Sequence, residues 1–171
     1  PGSFPPNDGT KFAFCDTIEV LILRGLDASG ASFPSSLGDC QRLKTLELSV
    51  YGWRGSIPSS IWQLPHLQHL TIRDIGRVLG STDAISGPYH LSWSWPSVTF
   101  GFCNPAASYM VEIRISGIGL TGRIPASIAT CAASLQILEI QDTNLEGPLP
   151  PSIGNLTQLR QLYLINNKLL T

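Results

Sequence analysis

Charge is scarce in this chain of 171 residues: Asp, Glu, Lys and Arg make up only 13% of it, about half the roughly 25% usual in globular domains. The formal net charge is −1, so the chain lacks the basic footprint that nucleic acid or an anionic membrane surface requires. Cysteine is limited to Cys15, Cys40, Cys103 and Cys131, which form no C-x-x-C pair and are too few for a disulfide-dense scaffold. The only histidines are His66, His69 and His90. His66 and His69 fall on a turn and a strand, need not converge, and leave no metal site to expect. A nucleophile elbow, a phosphate-cradling glycine loop and a paired-carboxylate motif are all missing, so neither an enzyme nor a cofactor is expected. The one long uncharged stretch, 84–111, contains Pro88, Pro96, Pro105, Asn104, His90 and five Ser. Those polar groups would go unsatisfied in lipid, which rules it out as a membrane span. The chain starts at Pro1 with no basic-then-apolar leader, and reads as one whose leader was removed or as a fragment.

What is abundant is Leu and Ile, 23 and 16 residues against 5 Val, in a chain that is 43% hydrophobic. Disorder is excluded, and even spacing of these residues calls for a search for repeats. Units begin at residues 18, 43, 67, 110, 135 and 159, spaced by 25, 24, 43, 25 and 24. Each complete unit reads L-x-x-L-x-L, then L-x-G-x-I-P, then I-x-x-L. The L-x-L alternation is a short strand with alternate residues buried, and Pro after Gly-x-Ile turns the chain away from a helix. No such unit buries its apolar face alone, so stacking puts all the strands in one parallel sheet.

The segments GWRGSIPSSIWQL (52–64), GLTGRIPASIATC (119–131) and NLEGPLPPSIGNL (144–156) resemble the plant-type leucine-rich repeat family. That resemblance implies an α/β repeat solenoid. It would be a right-handed superhelix with a concave parallel β-sheet, short flanking strands and 3₁₀ turns on the convex side. Residues 1–17 would be the remnant of an N-terminal cap, in which FAFC (12–15) stands for the family's capping motif, and 18–171 the solenoid. Two departures stand out. The ladder-forming Asn of the family survives only as Asn167, where the other units hold Leu26, Tyr51, Ile75, Ile118 and Thr143. Water or Thr must then satisfy the backbone groups the ladder would reach. No C-terminal cap follows, which suggests a longer protein or a last strand that meets a partner.

Between Leu67 and Met110 about 19 residues exceed the repeat length, an aromatic-rich insertion at about 76–109. Leu91, Trp93 and Trp95 alternate, as do Val98, Phe100 and Phe102, which is a hairpin pattern. Trp93 and Trp95 are candidate ligand residues there, against the alternative that the aromatics cover the solenoid's own core. On the sheet, the residues between the buried leucines face solvent. They include Arg24, Glu47, His69, Arg73, Glu112, Arg114, Glu139 and Tyr163, our candidate ligand-binding set. Arg114 and Glu139 fall in the same column of adjacent strands, so an ion pair is expected.

Two readings of the cysteines stay open: small thiols buried in the core, the favoured one, or a Cys15–Cys40 disulfide between neighbouring units. Asn155-Leu156-Thr157 is the only glycosylation sequon. The leading expectation is a non-enzymatic protein- or peptide-recognition module of a secreted protein or receptor ectodomain, extracellular or at the cell surface, with an intracellular location as the alternative. Its partner would be a protein or peptide, not nucleic acid, without membrane insertion by this segment, and with contact through the uncapped C-terminal edge. The competing classes are a structural subunit of a larger assembly and, more weakly, a binder of polysaccharide or ice, which the irregular outward columns disfavour.

Overall fold

Each L-x-L alternation makes a strand whose odd and even residues face opposite sides. In the computed structural model, which describes residues 12–27, 32–51, 57–74, 92–94, 103, 109–117 and 119–167, six of these strands lie side by side in chain order. They are β1 (Val20–Asp27), β2 (Thr45–Tyr51), β3 (His69–Asp74), β5 (Glu112–Ser116), β7 (Ile137–Gln141) and β9 (Gln161–Ile165), all parallel. A second parallel sheet joins β4 (Ser92–Ser94), β6 (Gly119–Gly122) and β8 (Asn144–Leu145). Parallel neighbours joined by return segments coil in the right-handed sense, and the result is a solenoid.

Register holds the aliphatics in columns. Leu46, Leu70, Ile113 and Leu138 are Cα partners in turn and each is fully buried, as are Leu48, Ile72, Ile115 and Ile140 one step along. Burying such a side chain contributes about 1.5–3 kcal/mol. Leu162 belongs to the same column but is 40% exposed, because β9 has a described neighbour on one side only.

The returns are 3₁₀ turns, at Ser35–Asp39, Ser59–Gln63, Ala126–Cys131 and Pro151–Asn155. Each follows a proline in extended conformation: Pro34, Pro58, Pro125 and Pro150. A ring that already fixes φ near −65° loses little freedom in that role. The turns stack in pairs, Ser35–Asp39 on Ser59–Gln63 and Ala126–Cys131 on Pro151–Asn155. The Gly of L-x-G-x-I-P has a backbone reason as well: Gly122 and Gly147 hold φ of +85° and +81°.

The 25-residue first spacing traces to one residue. Pairing runs Arg24 with Ser49 and then Leu26 with Val50, so Gly25, at φ +64°, is the extra residue of a β-bulge. At the other end Thr and Asn replace part of the missing ladder. Asn167 Nδ2 donates to the Ile140 carbonyl at 2.8 Å, its Oδ1 lies 2.6 Å from the Thr143 hydroxyl, and that hydroxyl accepts from Leu145 N at 3.4 Å.

The cysteines correct the favoured reading of free core thiols. They are buried but oxidised, as Cys15–Cys40 and Cys103–Cys131. Repeat stacking is the cause for the first pair, since Cys15 and Cys40 occupy equivalent places in successive turns with Cα atoms 4.1 Å apart. The second brings Cys103, near the end of the insertion, to 4.6 Å from Cys131 at the end of the next turn.

Gly122 and Gly154 both have open space where a Cβ would go, but only Gly122 has positive φ. Gly122→Ala is therefore expected to lower unfolding free energy by about 1–2 kcal/mol, and Gly154→Ala to be neutral or stabilising by up to about 1 kcal/mol. Urea titration of both variants checks this. Equal stability of the two would show that the motif glycine is not held there by its backbone.

Candidate functional site

The outward residues of the six-stranded sheet form three in-register columns. One runs Val20, Thr45, His69, Glu112, Ile137 and Gln161. The middle column is Ile22, Glu47, Thr71, Arg114, Glu139 and Tyr163, and the third is Arg24, Ser49, Arg73, Ser116, Gln141 and Ile165. All eight sheet residues singled out from the sequence lie on this one face, and most of them touch each other.

The expected Arg114–Glu139 pair is present, with Nη1 on Oε2. Arg114 also donates through Nε to Glu112, two residues back on its own strand, and Glu112 lies 3.2 Å from His69 Nδ1 across the β3–β5 pair. Glu139 is only 6% exposed. Its Oε1 accepts from Gln141 Nε2 at 2.6 Å, and Arg73 Nη2 approaches it to 3.9 Å from two strands away. A separate bidentate pair joins Arg24 to Glu47 at 2.5 and 2.6 Å. Three arginines thus face three carboxylates. Of the arginine contacts, column position foretold one, and the others depend on the reach of a guanidinium beyond its own column; His69 and Glu112 are directly opposed in a column of their own.

Hydrogen bonds from Arg24 hold the Glu47 carboxyl below the usual carboxylate range. Burial alone would raise Glu112, but hydrogen bonds from Arg114 and His69 outweigh it and hold that carboxyl low as well. A carboxyl depressed in the folded state binds its proton less readily there than in the unfolded chain. Its stabilisation is complete above the ordinary Glu value of about 4.3 and is lost as pH falls through the lower folded value. The contribution of these carboxyls should therefore be level above the ordinary Glu value, fall as pH drops below it, and be gone below the lower folded value. The decline should be shallower in Glu112→Gln, as read from denaturant midpoints at a series of acid pH values. An acid limb of unchanged slope in that variant would show that Glu112 is not linked to folding.

The insertion gives a partly different picture from the expected hairpin. Ser92–Ser94 is a strand, but its described partner is β6, in parallel, with Trp93 opposite Leu120. Residues 98–102, the other arm of the expected hairpin, and Trp95 lie outside the described residues, as does the Trp93 side chain. In the flanking sheet Thr121 pairs with Asn144, two residues short of the 25-residue repeat. Allowing for the same stagger, the place of Trp93 in the repeat corresponds to that of Gly122, and in the sequence Leu91-x-Trp93-x-Trp95-Pro96 aligns with Leu120-x-Gly122-x-Ile124-Pro125. The segment is a disguised copy of the turn motif, and the position of Pro96 was the signal for it.

Asn155 is exposed at the end of its 3₁₀ turn, and the Thr157 hydroxyl of its sequon donates to the Ala132 carbonyl at 3.2 Å. His66 packs near Tyr109, ring centroids 6.1 Å apart, whereas His69 belongs to the sheet network. Among the described residues no group of three His, Cys, Asp or Glu could hold a metal ion, and no helix is long and apolar enough to cross a membrane.

The Leucine Rich Repeat family model matches residues 134–156. Receptor-like protein 32 of Arabidopsis thaliana is 30% identical over 165 residues, covering 94% of this chain and 17% of that protein. The chain spans between 14% and 18% of the length of the curated relatives it matches. Among solved structures, the LRR ectodomain of the Arabidopsis thaliana membrane receptor kinase GASSHO1/SCHENGEN3, in complex with CASPARIAN STRIP INTEGRITY FACTOR 2, superposes with a TM-score of 0.64 at 23% identity, covering 88% of this chain and 16% of that one. The plant peptide hormone receptor RGFR1 in complex with RGF2 gives 0.63 at 22% identity, covering 90% and 21%. These two likenesses concern the fold. Taken with the L-x-G-x-I-P returns and the stacked parallel sheet, these likenesses show that the chain is a stretch of plant-type leucine-rich repeats, similar to those of receptor-like proteins.

Proposed function

We propose that this chain is a non-enzymatic recognition segment of an extracellular or cell-surface receptor-like protein, and that its outward sheet face takes a protein or peptide ligand. The observation that carries the proposal is the face itself. It is six strands wide and in register, and it gathers Arg24, Glu47, Arg73, Glu112, Arg114 and Glu139 in a chain with only 23 charged residues. The exposed pairs among them, such as Arg24 with Glu47, contribute about 0–1 kcal/mol each, and buried Glu139 must first be desolvated, so stability alone does not account for their concentration there. The relatives are named receptor-like proteins, and RGFR1, which shares the fold, is described as a peptide hormone receptor. Two disulfides accord with an oxidising compartment. Residues 1–17 serve as a reduced cap in this reading, and Trp93 and Trp95 add apolar contacts to the ligand.

A steric wedge tests the surface. Thr71 and Arg73 both lie on it, and Thr71→Asn with Arg73→Thr writes a sequon at its centre. Random peptides displayed on phage and enriched on the full chain, made through a eukaryotic secretory pathway, are expected to lose binding to the glycosylated double variant. Binding that survives the wedge would place recognition elsewhere.

Exposed Asn155 carries the native glycan, on a convex turn away from that face. Secreted wild type should show one mass step removed by peptide N-glycosidase, and Asn155→Gln should lack it. An unshifted wild type would rule the modification out.

A further inference from the structure

Along the edge where the 3₁₀ turns lead into the outward strands stand two features that the sheet face does not use. One is the exposed sequon residue Asn155; the other is the ring pair His66–Tyr109, in which Tyr109 is 45% exposed. Asn155 ends its turn as Asp39 and Gln63 end theirs, and both of those are exposed although their turns are stacked. Exposure therefore belongs to that place in the unit.

Hydrogen bonds trace the surface between the two features. The Thr157 hydroxyl donates to the Ala132 carbonyl at 3.2 Å, and the Ser134 hydroxyl donates to the Met110 carbonyl at 2.8 Å. They join the sequon to Tyr109 through Ala132, Ala133 and Ser134, side chains no larger than Ser. The path crosses two unit steps, about 10 Å at the usual strand spacing of ~4.8 Å. Residues 65–68, 109–111 and 132–136 contain no Asp, Glu, Lys or Arg. The charges of this edge stand to either side. On one, Glu19 pairs with Lys44 at 2.7 Å and Arg42 at 3.6 Å; on the other is Arg160.

Resting on the reading that Asn155 is glycosylated, we propose that its glycan lies back along this edge, with its inner sugars over Ala132–Ser134 and against the Tyr109 ring. A sugar ring has a face of C–H groups and a rim of neutral hydroxyls. The C–H face gains by covering an exposed aromatic ring. The hydroxyls need uncharged partners, which the half-buried amides of Gln68 and Gln136 supply, and no ion has to be stripped of water. Attachment at Asn155 keeps the local concentration of sugar high, so a contact too weak to hold a free saccharide suffices. A glycan held in this way screens the edge from other proteins and leaves the outward sheet face open.

The test compares melting temperatures of secreted wild type and Asn155→Gln, each with Tyr109 intact and with Tyr109→Ser. With Tyr109 in place, loss of the glycan should lower the melting temperature by about 2–4 °C, the shift expected of one aromatic contact in a domain of this size. In the Tyr109→Ser background that shift should vanish, and Tyr109→Phe, which keeps the ring, should restore it. Nuclear Overhauser effects between the Tyr109 ring and the inner sugars should appear in the glycosylated wild type, a measurement that depends on no variant. A glycosylated wild type without those effects, or an equal shift in the Tyr109 and Ser backgrounds, overturns the docked glycan and leaves the modification standing. A wild type that carries no glycan removes both.

Discussion

No turn of this chain can bury its own strand. A unit places its leucines on one side of a short strand, and only the equivalent residues of the units before and after cover them laterally. The four successive buried positions Leu46, Leu70, Ile113 and Leu138 show what that coverage achieves, and half-exposed Leu162 shows what its lack on one side costs. Everything else in the molecule accommodates this requirement. A proline opens each of the four described return turns, and left-handed Gly122 and Gly147 precede two of them, at the length that brings the next strand into register. Gly25 absorbs a surplus residue in a bulge, and β4 is the first strand of the described flanking sheet.

The register that stacks leucines on the inside also dictates chemistry on the outside. Residues 25 apart in the chain, such as Arg114 and Glu139, become neighbours at strand spacing, and so do Cys15 and Cys40. The two cases differ in consequence. The cysteines are locked by a bond that closes a loop of repeat length, which in chain-entropy terms stabilises by roughly 3 kcal/mol. The charges remain on a surface where substitution leaves the buried columns intact. A solenoid of this kind can therefore vary its outward columns with little penalty to the fold.

How much of this could be read beforehand follows the same division. The strands, their parallel order and the identity of the outward columns were legible, because period and alternation are properties of the chain alone. So was the Arg114–Glu139 contact, since it requires only that two residues share a column. Arg73 reaching Glu139 across two strands was not, nor Glu112 sharing Arg114, because these depend on side-chain conformers rather than register. The cysteine pairing was half legible. Cys15 and Cys40 share a place in successive units, but the distance of Cys103 from its partner is set by an insertion that breaks the count. The β4 strand was legible as a strand, but its parallel pairing with β6 was not, because tryptophan stands where the motif has glycine and isoleucine.

The concave network raises the question of why a chain so poor in charge spends it in mutual pairing. Stability is a weak answer, as surface pairs contribute little and Glu139 must first be taken out of water. Discrimination is a stronger one. A row of arginines alone would attract any acidic partner, and a row of glutamates any basic one. Interleaving them cancels the long-range field while leaving each group costly to separate from its partner. Partners are then selected by fit rather than by charge.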